Sequence, residues 1–186
     1  MLDRHLLFEP GQGGLIESEL VAALELATAA LGRAEPGRVG EGELVPEVRR
    51  STVAWLEISD ESSWLFSRVY SLAYAANESR WDFDLVGPHR RLQVSKYEAH
   101  ELGMYDWHLD IGAGTTNTRK VTVTFELSKA SEGGVMQFRP GSRPSSIVQD
   151  PGSAVVFPAF IPHRLTPVTR GCRVSLVGWV CGPPFR

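Results

Sequence analysis

The stretch RKVTVTFELS, residues 119–128, is the cleanest alternating segment in the chain. On an extended backbone Val121, Val123, Phe125 and Leu127 fall on one side, and Lys120, Thr122, Thr124 and Glu126 fall on the other. That period predicts a strand with one apolar face. Its polar face has two readings. On an isolated sheet it is solvated. If a second sheet stands over it, the same face lines a polar cavity, and helices must cover the apolar side.

Helices are available to do so. Leu20, Leu24, Ala27 and Leu31 recur at helical spacing over Glu17–Leu31, and Gly32 supplies a stop. A second helix is predicted after Asp60 and Glu61, whose charges suit a helix N-terminus. Its buried stripe is Trp64, Leu65, Val69, Leu72, Ala73 and Ala76, with Asn77 as its end. Between the two, GRAEPGRVGEGELVPE reads as a loop, followed by the short apolar segment STVAWLEI. From Trp81 the period becomes two. Trp81, Phe83 and Leu85 alternate with Asp82 and Asp84, and after the turn VGPHRR the pattern resumes through Leu92 and Val94. SEGG interrupts RKVTVTFELS, VMQF resumes, DPGS turns into AVVFPAF, and CRVSLVGWV ends at CGPP.

Helices first, then six to eight short strands with Gly/Pro turns, predict a mainly β fold with supporting helices, an antiparallel barrel or sandwich. Residues 1–186 are expected to form one domain, with 1–50 as a helical and loop extension packed on a β core at 80–183. There is no strand, Gly-rich loop and helix unit, so the sequence supports neither a dinucleotide site nor a phosphate loop. Hydrophobic residues at 42% and charged residues at 22% are ordinary for a soluble globular chain. A net charge of −3 gives no electrostatic basis for a nucleic acid or an anionic membrane as partner. No apolar run approaches the roughly 18 residues that span a bilayer, and MLDRHLLFEPGQGG lacks the apolar stretch of a signal peptide. A cytoplasmic location is the expectation. Cys172 and Cys181 are too few for a disulfide framework and lack CxxC spacing, so both read as reduced thiols.

The chemistry is suggested by YDWHLDIGAG, residues 105–114. His108 and Asp110 are two apart, which on a strand sends both side chains to one face. Alone, H-x-D is a common accident. His163, in FPAFIPHRLTPVTRG, is the candidate third ligand, although a histidine placed there could equally be a hydrogen-bonded loop residue. Two imidazoles and one carboxylate form the facial set that leaves three adjacent positions open on iron(II), whereas structural zinc would want a fourth protein ligand. On the last strand Arg173, Ser175, Val177 and Trp179 share a face. An inward arginine needs an anion. A salt bridge to Glu126 or Asp150 would satisfy it, and so would the far carboxylate of a diacid whose near end chelates the metal, with Ser175 donating to the same group.

These residues carry a resemblance. HLD at 108–110, the distal His163, and Arg173 ten residues later, followed by RVS at 173–175, resemble the iron(II)- and 2-oxoglutarate-dependent dioxygenases, in the branch similar to prolyl 4-hydroxylases. The likeness covers about Leu92 to Phe185. It implies a double-stranded β-helix, the jelly roll of the cupin-like folds. It implies that His108, Asp110 and His163 hold Fe(II), and that Arg173 and Ser175 grip the C5 carboxylate of 2-oxoglutarate. By the same likeness Tyr97 reaches 2-oxoglutarate, Tyr105 lines the pocket mouth, and Trp179 lies at the cavity's inner edge, though a core tryptophan would look the same. Arg119 has the wrong parity to face inward with Thr122 and Thr124, so as a substrate-binding residue it would have to act from a loop.

Glu126 departs from the family pattern, standing where animal prolyl hydroxylases that act on the oxygen-sensing transcription factor place a tyrosine. A carboxylate beside a bound diacid is repulsive unless protonated or paired. Lys120 or another cation would have to offset it, or Glu126 would face a basic substrate. The activity implied is hydroxylation of an unactivated C–H bond using O₂, with succinate and CO₂ released and ascorbate as a possible reductant. The substrate expected by analogy is a prolyl or other amino-acid residue of a peptide or protein. A free amino acid or small natural-product intermediate is the alternative, and a non-catalytic cupin-like module holding a metal or small acid is a third reading. Nothing in the sequence bears on oligomeric state.

Overall fold

The computed structural model describes residues 6–40, 42–139, 141 and 143–185. Among the described residues two α-helices, α1 (Glu17–Leu31) and α2 (Ser63–Arg80), accompany fifteen strands, many of them very short. In chain order these are β1 (Leu6–Phe8), β2 (Glu35–Pro36), β3 (Arg49–Arg50), β4 (Thr52–Glu57), β5 (Gly87–Pro88), β6 (Arg91–Glu98), β7 (Met104–His108) and β8 (Arg119–Ser128). There follow β9 (Glu132–Gly133), β10 (Met136–Phe138), β11 (Ser145–Ile147), β12 (Ala154–Pro158), β13 (His163–Leu165), β14 (Val168–Arg170) and β15 (Cys172–Cys181). The main sheet runs β1-β12-β8-β15-β6-β4-β2, with β5 added to β15. A second sheet runs β11-β10-β13-β7-β3, and β14 pairs with β9. All the pairings are antiparallel, and the two sheets form the expected jelly roll.

β8 settles which reading of its polar face holds. Val121, Val123, Phe125 and Leu127 are at most 1% exposed and pack in one core with Leu65, Val69, Ala73 and Ala76 of α2 and Ala23 and Ala27 of α1. Thr122 and Thr124, on the other side, line a cavity between the sheets. The helices therefore cover the outer face of the main sheet and leave its inner face free for polar work. A second apolar cluster of Met136, Phe138, Ile147, Val155, Phe157 and Ile161 closes the sandwich behind that cavity.

α2 packs directly over Gly178 of β15. A Cβ there would stand 2.6 Å from Val69 Cγ1 and 2.8 Å from Leu92 Cδ2. Gly178→Ala should destabilise the protein by about 1–3 kcal/mol through overpacking. Chemical denaturation measures this, and an unchanged midpoint would mean that α2 can move aside.

Three local features differ from the sequence reading. Asn77 does not end α2, which continues to Arg80. Its buried side chain instead pins the following segment, donating from Nδ2 to the Phe83 carbonyl (2.9 Å) and accepting from the Phe83 N–H (2.8 Å). Trp81 to Leu85 is not a strand; Asp82 has φ 53°, a left-handed backbone that breaks extended alternation. The N-terminal fifty residues contribute β1, β2 and β3 as well as α1, and STVAWLEI becomes β4 inside the main sheet. No described helix is long and apolar enough to cross a membrane.

Candidate active site

His108 closes β7 and His163 opens β13, and the two residues stand directly opposite in the sheet. Antiparallel pairing alone thus brings together imidazoles that lie 55 residues apart in the chain; their ring centroids are 4.1 Å apart. Asp110 follows β7 in a loop held by the N–H groups of Asp110 and Ile111, which donate to the Ala159 carbonyl (3.0 and 3.3 Å). Asp110 Oδ1 lies 3.9 Å from His108 Nε2, and its Oδ2 lies 3.7 Å from His163 Nε2. The three ligand atoms are all within 4.8 Å of one another, a cluster that could hold a metal ion.

Each imidazole is oriented by the backbone. His108 Nδ1 lies 2.8 Å from the Asp106 carbonyl, and His163 Nδ1 lies 2.9 Å from the Ile161 carbonyl. A carbonyl can only accept, so each Nδ1 carries a proton and Nε2 is the nitrogen left to bind a metal. Burial first, and then the neighbouring His163, push His108 down to about 3. Near neutral pH it is an uncharged imidazole, the form a metal requires. For Asp110 burial works upward, but His163, His108 and a hydrogen bond from Thr122 outweigh it, so the carboxyl sits below its ordinary value. That hydrogen bond runs from Thr122 Oγ1 to Asp110 Oδ2 at 2.7 Å. Two imidazole nitrogens and one carboxylate, each held by a second partner, suit iron(II) with open positions.

The cavity beside this cluster measures about 1350 Å³. Arg173, Ser175, Val177 and Trp179 all line it, as the alternation of β15 predicts, together with Tyr97, Tyr105 and Arg119. Tyr97 is paired across the strands with Arg173. Tyr105 stacks on His108, with centroids 3.5 Å apart and an interplanar angle of 13°. Trp179 is 3% exposed, with the Arg119 guanidinium 3.6 Å from its ring centroid.

Arg119 corrects the parity argument. The β8–β15 register shifts between Val180 and Cys181, moving the partner from Val121 to Arg119. This bulge re-aims the side chain, so Arg119 reaches the cavity from the strand itself and donates to the Asp110 carbonyl at 3.2 Å. Lys120 does not offset Glu126; its Nζ sits 3.4 Å from the Phe185 ring centroid. The offsetting cation is Arg173 itself, which donates from Nη2 to Glu126 Oε2 at 2.6 Å. Both members are buried, at 4% and 2% exposure, and Asp150 is engaged elsewhere with Lys129 at 2.9 Å. Burial raises the Glu126 carboxyl by more than Arg173 lowers it. Glu126 is not among the cavity-lining side chains, so it meets Arg173 rather than open space for a basic substrate.

Two residues at the site escaped the sequence reading. Thr122 was legible only as one more polar position on β8, with nothing to indicate Asp110 as its acceptor. Arg49 lies outside every motif. It is 8% exposed, lines the cavity, and stands 4.4 Å from the Tyr105 ring centroid.

A jelly roll with a His-x-Asp turn and a distal histidine lining a polar cavity has the frame of the mononuclear non-haem metal oxygenases. Comparisons with known proteins agree. Residues 92–181 match the 2OG-Fe(II) oxygenase superfamily. A PKHD-type hydroxylase of Synechococcus sp. (strain CC9605) is 29% identical over 147 residues, covering 77% of this chain and 64% of that protein. The chain thus spans somewhat under two thirds of that relative's length. Two solved structures share the fold: a Trichoplax adhaerens prolyl hydroxylase in complex with a hypoxia inducible factor peptide fragment (TM-score 0.81, 19% identity, covering 97% of this chain and 84% of that one), and a Pseudomonas putida prolyl-4-hydroxylase (TM-score 0.73, 19% identity, covering 96% and 92%). Over residues 92–181 the chain is thus similar to the 2OG-Fe(II) oxygenase superfamily, and it shares its fold with these two prolyl hydroxylases.

Proposed function

We propose that this protein is an Fe(II)- and 2-oxoglutarate-dependent hydroxylase acting on an amino-acid residue, prolyl by nearest analogy, in a peptide or protein. The observation that carries the reading is the convergence of His108, Asp110 and His163, with Nε2 of each imidazole and the Asp110 carboxylate clustered, in the lining of a cavity that Arg173 also lines. When bound there, iron(II) with 2-oxoglutarate would supply the O₂ activation that inserts oxygen into a C–H bond, with succinate and CO₂ released.

The chain's own residues do the rest. His108, Asp110 and His163 hold the metal while the Asp106 and Ile161 carbonyls and Thr122 Oγ1 keep the ligands from turning. Arg173 and Ser175, with Tyr97 opposite, bind the C5 carboxylate and so orient the co-substrate. Tyr105, Arg119 and Trp179 border the space left for the substrate, and the apolar rings of Phe157 and Trp179 limit water. The cavity's volume, about 1350 Å³, leaves room for a peptide segment beside the co-substrate.

The test incubates the protein with iron(II), ascorbate and 2-oxoglutarate and follows succinate. Mass spectrometry then screens prolyl peptides, free amino acids and small acids for a gain of one oxygen atom. Succinate formation without any oxygenated peptide, but with an oxygenated free amino acid, would shift the substrate class. No succinate under any condition would leave a non-catalytic metal-binding module.

A further inference from the structure

The Arg173–Glu126 pair creates a deficit of charge. Arg173 is the cation assigned to the far carboxylate of the co-substrate, yet it already holds a buried anion at 2.6 Å. A protonated Glu126 would not restore its charge cheaply, because Oε1 has no hydrogen-bond partner among the described residues and its O–H would be buried without an acceptor. A formally neutral pair is a poor receptor for a second carboxylate.

The missing charge stands one strand away. Arg49 reaches from the second sheet across to the main one. Its Nε donates to Ser51 Oγ (2.8 Å), its Nη1 to the Arg38 carbonyl (3.1 Å) and its Nη2 to Ser95 Oγ (3.4 Å). None of these is an anion, and Arg49 has no carboxylate partner among the described residues. A buried guanidinium satisfied only by hydroxyls and a carbonyl retains its full charge. The guanidinium lies between the Tyr105 ring, 4.4 Å away, and Ser95, whose strand register relates it to Ser175. Ser95 is opposite Ser175, Ser175 is opposite Glu126, and Arg173 is opposite Tyr97. Arg49 therefore contacts the residue next to Ser175 on the side away from Glu126, with strands roughly 4.8 Å apart. Arg173, Arg49 and Glu126 together carry one net positive charge around Ser175, which matches one carboxylate.

We propose that Arg49 is a binding residue for the far carboxylate of the co-substrate, supplying the positive charge that Glu126 withdraws from Arg173. This rests on the hydroxylase reading above. A purely structural Arg49, tying β3 to β6, would affect all ligands alike.

The experiment measures binding by calorimetry to the full chain loaded with manganese(II), comparing 2-oxoglutarate with 2-oxobutyrate, which lacks the far carboxylate. Glutarate on the metal-free protein serves as a probe independent of the metal. Arg49→Met should weaken 2-oxoglutarate and glutarate about 10–100-fold, the worth of one charge-assisted hydrogen-bonding partner, and leave 2-oxobutyrate unchanged. Glu126→Gln should strengthen the two diacids, and the Arg49→Met/Glu126→Gln double variant should recover most of the loss. Arg49→Lys, which keeps the charge, should lie close to wild type. Equal weakening of diacid and monoacid, or no weakening in Arg49→Met, overturns the proposal. If that variant does not fold, an unchanged diacid affinity in Glu126→Gln overturns it instead. If the unaltered protein shows no preference for 2-oxoglutarate over 2-oxobutyrate, the hydroxylase reading itself fails, which is a distinct result.

Discussion

Asp110→Ala should reduce iron(II) affinity by more than about 100-fold and abolish oxygenation, because losing a direct ligand exceeds the 10–100-fold typical of losing a group that merely orients one. Asp110 is the only anionic member of the cluster, with Oδ1 and Oδ2 directed toward His108 and His163. Without it, two imidazoles face a dication with no anionic partner, and the Thr122 hydroxyl loses the acceptor it holds at 2.7 Å. Equilibrium dialysis gives the metal affinity, and succinate formation gives the turnover. Full turnover in this variant would remove Asp110 from the ligand set.

Arg173→Ala should have two separable consequences. The first concerns stability. It leaves the Glu126 carboxylate, 2% exposed, with neither Oε1 nor Oε2 partnered among the described residues, and truncating one member of a buried pair costs about 3–5 kcal/mol. The second concerns the co-substrate, whose requirement should rise by orders of magnitude while iron binding stays nearly intact, since Arg173 is not among the clustered ligands. Arg173→Ala combined with Glu126→Ala resolves the two. Stability should largely return, because no unpaired charge remains buried, and 2-oxoglutarate binding should not. Denaturant unfolding and the KM for 2-oxoglutarate are the measurements. A double variant no more stable than the single one would mean that the 2.6 Å pair contributes no coupling. Equal loss of iron and co-substrate binding would undo the clamp role of Arg173.

Much of the site was legible because its members sit in regular strands. Period two on β15 put Arg173, Ser175, Val177 and Trp179 on one face, and all four line the cavity. The same period put Glu126 beside Thr122 and Thr124, and the choice between a solvated face and a cavity wall then turned on whether helices would cover Val121, Val123 and Phe125, as they do. Where regularity lapses, the reading failed. The register shift opposite Cys181 reversed Arg119, and no pattern of residue types announces such a bulge. The alternation of Trp81, Phe83 and Leu85 was accidental, because the left-handed Asp82 keeps the segment from extending. Arg49 lay between the stretch read as a loop and the apolar segment STVAWLEI, in a gap that carried no reading.

From the sequence alone came the strand periods, the helical stripes of Glu17–Leu31 and the α2 segment, and the ordered set His108, Asp110, His163 and Arg173. These are properties of residue type and spacing along one backbone, which local stereochemistry settles. Only the tertiary structure decided who answers whom across strands: that Glu126 is held by Arg173 and not by Lys120, that Thr122 steadies Asp110, and that Arg49 arrives from the opposite sheet. Charge pairing falls off over a few ångströms, and distances that short between residues tens of positions apart are set by sheet register, which no single strand contains.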